Sequence, residues 1–292
     1  MSVTGTKTHT PIPRAGLLRA LTDEERLTWE RDGAVVVKGI IPPEWVDYLA
    51  GAVDRLLARP DPSSQNYAPD GQPVFFAQAF PSQLDTAFRA WALDGPLVDL
   101  AHQALPSARS LNFFYDQVFV KTPGAGTPTP WHQDSPFLPL QGSDLIRCWL
   151  PFDPVTADSG ALRYLKGSHR WGVTYHPLGF KDIPEITSAY VDSPFEDQPD
   201  FDAEYDRHEW LIGEAEPGDI LLHHPAVVHG SWGNTTKRFR RAVTSFYTGD
   251  RITWYPHSAN MFKNKSLTGH VQMPQLQAGG PIDCDLFPRV WP

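Results

Sequence analysis

Cysteine is nearly absent from this chain, with Cys148 and Cys284 the only two among 292 residues. Two cysteines build neither a disulfide framework nor a cysteine metal site. Long apolar runs are also missing, and no stretch approaches the roughly 20 residues that a membrane-spanning helix needs. The polar start, residues 1–14, lacks the apolar segment of a signal peptide. We therefore expect a cytoplasmic protein with no membrane partner.

Basic residues are outnumbered by acidic ones. Lys and Arg total 25 against 34 Asp and Glu, which gives a formal net charge of −9 at pH 7, and no long Lys/Arg run occurs. This balance argues against nucleic-acid binding. Hydrophobic residues make up 41% of the chain, enough for a sizeable core. The 29 prolines and 22 glycines are scattered, which is typical of many short strands joined by turns.

The first third of the chain has a helical pattern. Residues 1–20 are polar and are expected to form a flexible arm. Residues 21–108 are expected to form a helical part. In it, Thr22 is followed by acidic residues, as at the start of a helix, and Pro43 opens a second segment with apolar residues at helical spacing.

Strands dominate the rest of the sequence. Residues 109–250 contain aromatic and β-branched runs bounded by Gly, Pro and Asp, which indicate a small β-barrel or jelly roll. The proline-rich, acidic insertion 172–208 interrupts them, and a connection of this length is typical of a lid that selects substrate. With a C-terminal extension over 251–292, we expect one domain spanning 21–292.

The candidate metal ligands are His132, Asp134 and His229. In an extended segment, residues two apart face the same side, so the His132 and Asp134 side chains converge. His229 follows 97 residues after His132, and two imidazoles with one carboxylate form the facial triad of non-haem iron(II) oxygenases. Residues alone leave alternatives open: a His-x-Asp pair is often an ordinary surface pair, and His223 and His224 compete with His229.

A candidate anchor for a dicarboxylate lies eleven residues after His229. Arg240 begins the segment 240–243, which is expected to be a strand entering the barrel, and a buried arginine can donate two parallel hydrogen bonds to a carboxylate. Arg240 and Arg241 would face opposite sides of a strand, so only one of them can point inward. The alternative is that both are surface charges.

Eight segments of the chain carry motifs in a recognisable order: 32–37, 43–44, 119–124, 130–134, 148–153, 157–162, 166–169 and 229–242. They resemble the motifs of the phytanoyl-CoA dioxygenase family over about residues 20–250. The resemblance implies a double-stranded β-helix (jelly roll, cupin-like) core that is mainly β, with N-terminal helices. It implies iron(II), with 2-oxoglutarate and O₂ as co-substrates. Asp134 is retained, whereas halogenating relatives replace this carboxylate with a small residue, so a halogenase is not expected.

The resemblance also implies which residues contact 2-oxoglutarate. It favours Arg240 over Arg241 as the anchor, because the first Arg of Arg-Arg-Ala matches the family's position. The strand before the His-x-Asp segment is expected to line the same pocket. The further candidates are Gln117, Lys121, Trp149 and Ser231. For each of these four, ordinary sheet packing or turn stabilisation is the alternative.

The expected function is the oxidation of a small organic metabolite or natural-product intermediate, by hydroxylation or a related reaction, with release of succinate and CO₂. Two alternatives stay open: an oxygenase acting on an acyl-CoA thioester, and a metal-binding cupin-like protein without oxygenase activity. Iron-dependent formation of succinate from 2-oxoglutarate separates the last of these from the others. The sequence leaves open whether the protein is a monomer or a homodimer.

Overall fold

A computed structural model describes residues 11–176, 195–257, 260–263 and 268–292. Within them, the α-helices are Asp23–Asp32 (α1), Pro43–Ala58 (α2), Thr86–Leu93 (α3) and Leu97–Ala104 (α4). The strands are Ala34–Val37 (β1), Gln65–Asn66 (β2), Phe75–Ala79 (β3), Leu111–Lys121 (β4), Thr129–His132 (β5), Leu140–Gln141 (β6), Leu145–Pro151 (β7), Leu162–Leu165 (β8), Trp210–Gly213 (β9), Ile220–His223 (β10), His229–Ser231 (β11), Arg240–Gly249 (β12), Thr253–Trp254 (β13) and Arg289–Trp291 (β14). None of these helices combines the length and apolarity needed to cross a membrane.

Helix α1 begins and ends where its sequence indicates. Thr22 and Glu25 form a capping box, in which each side chain accepts a hydrogen bond from the other residue's backbone N–H. Gly33 ends the helix in the left-handed conformation, with φ at 74°. A side chain at this position would also collide with His169, whose Nδ1 lies 2.3 Å from the place of a Cβ. Glycine is therefore required here for both conformation and space.

Two antiparallel sheets form the barrel. The larger sheet has the order β1-β10-β7-β12-β4-β3-β2, with β14 added beside β4, and the smaller sheet has the order β5-β11-β8-β9. Asp134, which follows β5, contacts side chains from both sheets, so the interior lies between them. This is the predicted mainly β, jelly-roll architecture with N-terminal helices, and the prediction is confirmed.

The helices cover the outer face of the larger sheet. Side chains alternate along a strand, and on β7 Cys148 and Leu150 belong to the apolar cluster that includes the buried residues of α2, α3 and α4. Arg147 and Trp149 therefore face the opposite side, toward the barrel interior. On β10, Leu222 packs in the helix-side cluster and His223 faces inward by the same alternation. The apolar cluster between the helices and the larger sheet therefore determines which polar residues of β7 and β10 point into the barrel.

The described flanks of the insertion pack against the smaller sheet. Phe201 is buried in a cluster with Tyr175 and Trp131, the residue before the candidate ligand His132. Residues 177–194 lie outside the described residues, and the prediction of a substrate-selecting lid over 172–208 stays a prediction. Residues 1–10 of the predicted arm lie outside them as well.

One buried carboxyl group makes a testable contribution to stability. Asp116 on β4 accepts hydrogen bonds from the backbone N–H and the hydroxyl of Ser82. Burial raises the pKa of Asp116 to about 7 from its ordinary value of 3.8. The folded state therefore holds an extra proton between about pH 4 and pH 7. This contribution to the free energy of unfolding is fully present below pH 4 and is lost as the pH rises through 7.

We expect Asp116→Asn to remove that loss, because an amide is neutral throughout. From pH 4 to pH 8, the free energy of unfolding of the variant should rise relative to wild type by roughly 3–4 kcal/mol. Urea unfolding followed by circular dichroism at several pH values measures the difference. Asp70→Asn, at an exposed position, is the control. Parallel pH profiles for wild type and Asp116→Asn would contradict the assignment.

Candidate active site

Two histidines from neighbouring strands face each other inside the barrel. His132 on β5 and His229 on β11 are direct partners in the antiparallel register. The Nδ1 atom of His132 lies 2.8 Å from the carbonyl oxygen of Pro130, and that of His229 lies 3.0 Å from the carbonyl oxygen of Val227. A carbonyl oxygen only accepts, so Nδ1 donates in both rings and Nε2 carries the lone pair of the ring. Both rings are thus oriented as metal ligands are.

Asp134 supplies the carboxylate between them. Arg147 Nη1 donates to its Oδ1 at 2.6 Å, whereas its buried Oδ2 has no hydrogen-bond partner in the described part of the chain. Nε2 of His223 and Nε2 of His229 lie 3.4 and 3.9 Å from that Oδ2. Burial by itself would raise the pKa of Asp134, but the Arg147 guanidinium and nearby histidines outweigh it and hold this pKa well below its usual range.

The three residues fit an iron(II) ion. One ligand atom from each of His132, Asp134 and His229 lies within 4.8 Å of the others, and all three residues are buried. Burial, reinforced by repulsion from His132, holds the pKa of His229 well below its usual value, so this imidazole is neutral and free to bind a metal. Two imidazoles and one carboxylate suit a non-haem iron(II) site with open positions.

A cavity of about 390 Å³, counting the space open to solvent, extends from these histidines. Of its ten lining residues, four are hydrophobic and six carry polar side chains. Of the predicted site residues, His132, His229, Trp149 and Arg240 line it directly. The lining residues are Phe75, Phe119, Thr129, His132, Arg147, Trp149, Leu162, His223, His229 and Arg240.

The cavity has a cationic end. Arg240 at the start of β12 is the register partner of Lys121 at the end of β4, and both are buried. The Arg240 guanidinium carbon lies 5.7 Å from the centre of the Trp149 ring, and its buried Nε has no hydrogen-bond partner among the described residues. Lys121 Nζ donates to Ser231 Oγ at 2.9 Å, and Ser231 donates to Thr129 at 2.9 Å. Four residues predicted to contact 2-oxoglutarate therefore lie together at this end of the cavity: Lys121, Trp149, Ser231 and Arg240.

Burial affects both cations. It lowers the pKa of Arg240 to about 10, so the guanidinium stays charged at neutral pH. It also lowers the pKa of Lys121 well below its usual value, and repulsion from Arg240 and Arg163 adds to the shift. Two cations opposite each other in a sheet destabilise it. A bound dianion would relieve this repulsion.

Arg241 takes the opposite orientation. It pairs with Asp153 at 2.8 Å and with Asp54 at 2.7 Å, on the side of the sheet away from the cavity. Gln117 lies two residues before Phe119 on β4, and its amide oxygen accepts a hydrogen bond from the Tyr115 hydroxyl. It is not among the residues that line this cavity, and its contact with the co-substrate stays a prediction.

Two interior residues escaped the sequence analysis. Arg147 had a usable signal, because it lies two residues before Trp149 and therefore on the same face of the strand. His223 was considered only as a competitor of His229, yet it lies beside Asp134 and its Nδ1 is 3.2 Å from the Tyr164 hydroxyl. Nothing in local sequence places a β10 residue beside one that follows β5.

An antiparallel barrel that holds two histidines and a carboxylate beside a cationic pocket defines the class of iron(II)- and 2-oxoglutarate-dependent oxygenases. The family model described as phytanoyl-CoA dioxygenase (PhyH) matches residues 29–242. The chain belongs to this family, and the predictions of family, enzyme class and cofactors are confirmed.

Similar proteins and solved structures support this family assignment. The peroxisomal phytanoyl-CoA dioxygenase of Rattus norvegicus is 26% identical over 243 residues, which cover 78% of this chain and 68% of the relative. Among solved structures, the non-haem α-ketoglutarate-dependent carbocyclase SnoK from nogalamycin biosynthesis is similar with a TM-score of 0.71 at 20% identity, covering 92% of this chain and 96% of SnoK. The epimerase SnoN, in complex with Fe³⁺, α-ketoglutarate and nogalamycin RO, has the same TM-score at 20% identity, with 92% and 98% covered. At this identity, the two structures show the shared fold.

Proposed function

We propose that this dioxygenase hydroxylates or otherwise oxidises a small organic metabolite or natural-product intermediate, with conversion of 2-oxoglutarate to succinate and CO₂. The observation that carries the proposal is the convergence of ligand atoms of His132, Asp134 and His229 within 4.8 Å, beside a pocket that ends in Arg240, whose buried Nε has no hydrogen-bond partner among the described residues. A metal site next to a buried guanidinium suits a metal-bound dicarboxylate.

Each residue has a defined task in this proposal. His132 and His229 would hold iron(II) through Nε2, and Asp134 would hold it through a carboxylate oxygen. Iron(II) with 2-oxoglutarate and O₂ supplies the oxidising chemistry. Arg240 would bind the distal carboxylate of 2-oxoglutarate with paired hydrogen bonds.

The remaining pocket residues would support that binding. Lys121 places an amine beside Arg240, where a bound dianion would favour its charged form, and Ser231 holds the Lys121 amine in place. Trp149 packs beside the Arg240 guanidinium and helps to exclude water. Gln117 stays a candidate contact on the neighbouring part of β4.

The choice of a small substrate rests on several features. SnoK and SnoN are described as enzymes of nogalamycin biosynthesis, and Phe75, Phe119 and Trp149 in the cavity wall offer apolar contacts to a compact organic molecule. The name of the rat relative favours an acyl-CoA thioester instead. However, the net charge of −9 gives no electrostatic attraction to a polyphosphate.

We also propose that the enzyme works in the cytoplasm, without a nucleic-acid partner. Both cysteines of the chain are free thiols, which suits a reducing compartment. The acidic balance of the chain is unfavourable for binding nucleic acid. A monomer and a homodimer are both compatible with the proposal.

Succinate formation tests the proposal directly. The protein is loaded with iron(II) without oxygen, mixed with 2-oxoglutarate and air, and incubated with a panel of small metabolites, natural-product intermediates and acyl-CoA thioesters. We expect slow succinate formation when no substrate is added. An accepted substrate should raise this rate at least about tenfold, because substrate binding couples oxygen activation to oxidation. A chelator should abolish both rates.

Three outcomes distinguish the alternatives. Stimulation by a small metabolite or natural-product intermediate supports the proposal, and stimulation by acyl-CoA thioesters alone contradicts its substrate class. Iron binding without 2-oxoglutarate binding or succinate formation would identify a metal-binding cupin-like protein without oxygenase activity.

A further inference from the structure

We propose that Arg147 is a positioning residue that restricts Asp134 to a single ligating oxygen and so keeps one coordination position of the metal open for O₂. The inference rests on the proposed function, because it presumes that Asp134 binds iron(II). It concerns a residue of the larger sheet that lines the same cavity but has no role as a metal ligand or as an anchor for 2-oxoglutarate in the proposed function.

Arg147 is held rigidly in the barrel. It is buried on β7, and its Nε donates to the Thr244 hydroxyl of the neighbouring strand at 2.8 Å. Its guanidinium carbon lies 4.8 Å from the centre of the Phe246 ring and 5.8 Å from that of Phe119, within the range of cation–π attraction. With the plane of the guanidinium fixed on several sides, Nη1 has a defined direction, and it points at Asp134.

The two oxygens of Asp134 have different surroundings. Oδ1 accepts the 2.6 Å hydrogen bond from Arg147, and a short, charge-assisted bond of this kind is strong. Oδ2 is buried, has no hydrogen-bond partner in the described part of the chain and lies 3.9 Å from Nε2 of His229, whereas Oδ1 lies 3.6 Å from Nε2 of His132. Both oxygens are thus near the ligand histidines, and the hydrogen bond from Arg147 is what leaves Oδ2 as the oxygen available to a metal ion.

The difference between the two oxygens of Asp134 matters because the metal has a limited number of coordination positions. An octahedral iron(II) has six positions, and the facial triad uses three of them. Chelation by 2-oxoglutarate would use two more, which would leave one for O₂. If Asp134 bound through both oxygens, the protein would use four positions and no position would remain. The bond from Arg147 to Oδ1 opposes that arrangement.

The experiment compares Arg147→Gln and Arg147→Met with wild type, under anaerobic conditions. Three quantities are measured: iron(II) affinity, 2-oxoglutarate binding through the charge-transfer absorption of the iron complex, and binding of nitric oxide, a surrogate for O₂, by electron paramagnetic resonance. Arg241→Gln is the matched control, because Arg241 is ion-paired on the opposite side of the sheet. It should behave as wild type.

In both Arg147 variants, we expect nitric oxide affinity of the iron–2-oxoglutarate complex to fall at least about tenfold, a typical effect of losing a supporting contact to a metal ligand. Iron affinity should stay the same or rise, because a second carboxylate oxygen becomes available. A role in folding alone would change thermal stability and leave nitric oxide binding intact, so that result overturns the proposal. Weakened iron binding with unchanged nitric oxide binding also overturns it, since Arg147 would then only orient the carboxylate.

Two safeguards keep the test decisive. If neither Arg147 variant folds, Thr244→Val carries the test, because it removes only the hydroxyl that fixes the guanidinium. Nitric oxide affinity should then fall about threefold or more, as expected for loss of one hydrogen bond, and an unchanged affinity overturns the proposal. Failure of the proposed function looks different: wild type itself would not bind iron(II) or 2-oxoglutarate.

Discussion

The variants His132→Ala, Asp134→Ala and His229→Ala should each lose tight iron(II) binding and all turnover. Each change removes one of three ligands, so the loss of affinity should exceed the roughly 10- to 100-fold that follows loss of a supporting outer contact. The reason is geometric: the three ligand atoms lie within 4.8 Å of one another in a buried site. Within the described residues, no other His, Cys, Asp or Glu belongs to this group.

Anaerobic titration with iron(II) and the succinate assay measure these losses. His169→Ala is the matched histidine control, because His169 lies against the backbone oxygen of Glu30, away from the barrel interior. It should retain iron affinity and turnover. Wild-type activity in any one of the three ligand variants would remove that residue from the metal site. His223→Ala then becomes the next variant to examine, since His223 also faces Asp134.

Replacing Arg240 by alanine should raise the 2-oxoglutarate concentration needed for half-maximal activity steeply. Losing a buried, charged contact typically costs ~2–5 kcal/mol, which corresponds to roughly 30- to 4,000-fold in affinity. Arg240 has no carboxylate partner among the described residues within ion-pair distance, and its buried Nε is unpartnered. Its charge is thus available to the co-substrate.

Arg241→Ala is the control for this experiment. The Arg241 side chain already pairs with Asp54 and Asp153, so its loss should change stability more than the 2-oxoglutarate requirement. Titration of 2-oxoglutarate against succinate formation, together with direct binding to the iron-loaded protein, measures both variants. Equal effects of the two substitutions, or a larger effect of Arg241→Ala, would refute the assignment of Arg240 as the anchor.

Local chemistry made much of this fold predictable. The start of α1 at Thr22 and its end at Gly33 follow from hydrogen bonds and φ preferences within a few residues. The spacing of His132 and Asp134 and the opposite faces of Arg240 and Arg241 follow from the two-residue period of a strand. These features involve neighbours in sequence, so the chain specifies them without knowledge of the fold.

The sequence by itself therefore determined the bounds of α1, the start of α2, the strand-rich pattern after residue 109, the family resemblance and the candidate ligands. Only the tertiary structure decided which distant strands become neighbours, because register between strands depends on packing of whole sheet faces. That register pairs His132 with His229, Lys121 with Arg240, and Arg147 with His223. The helices cover the outer face of the larger sheet, so Arg147 lies on the inner face. There it is buried beside Asp134 at the candidate metal site.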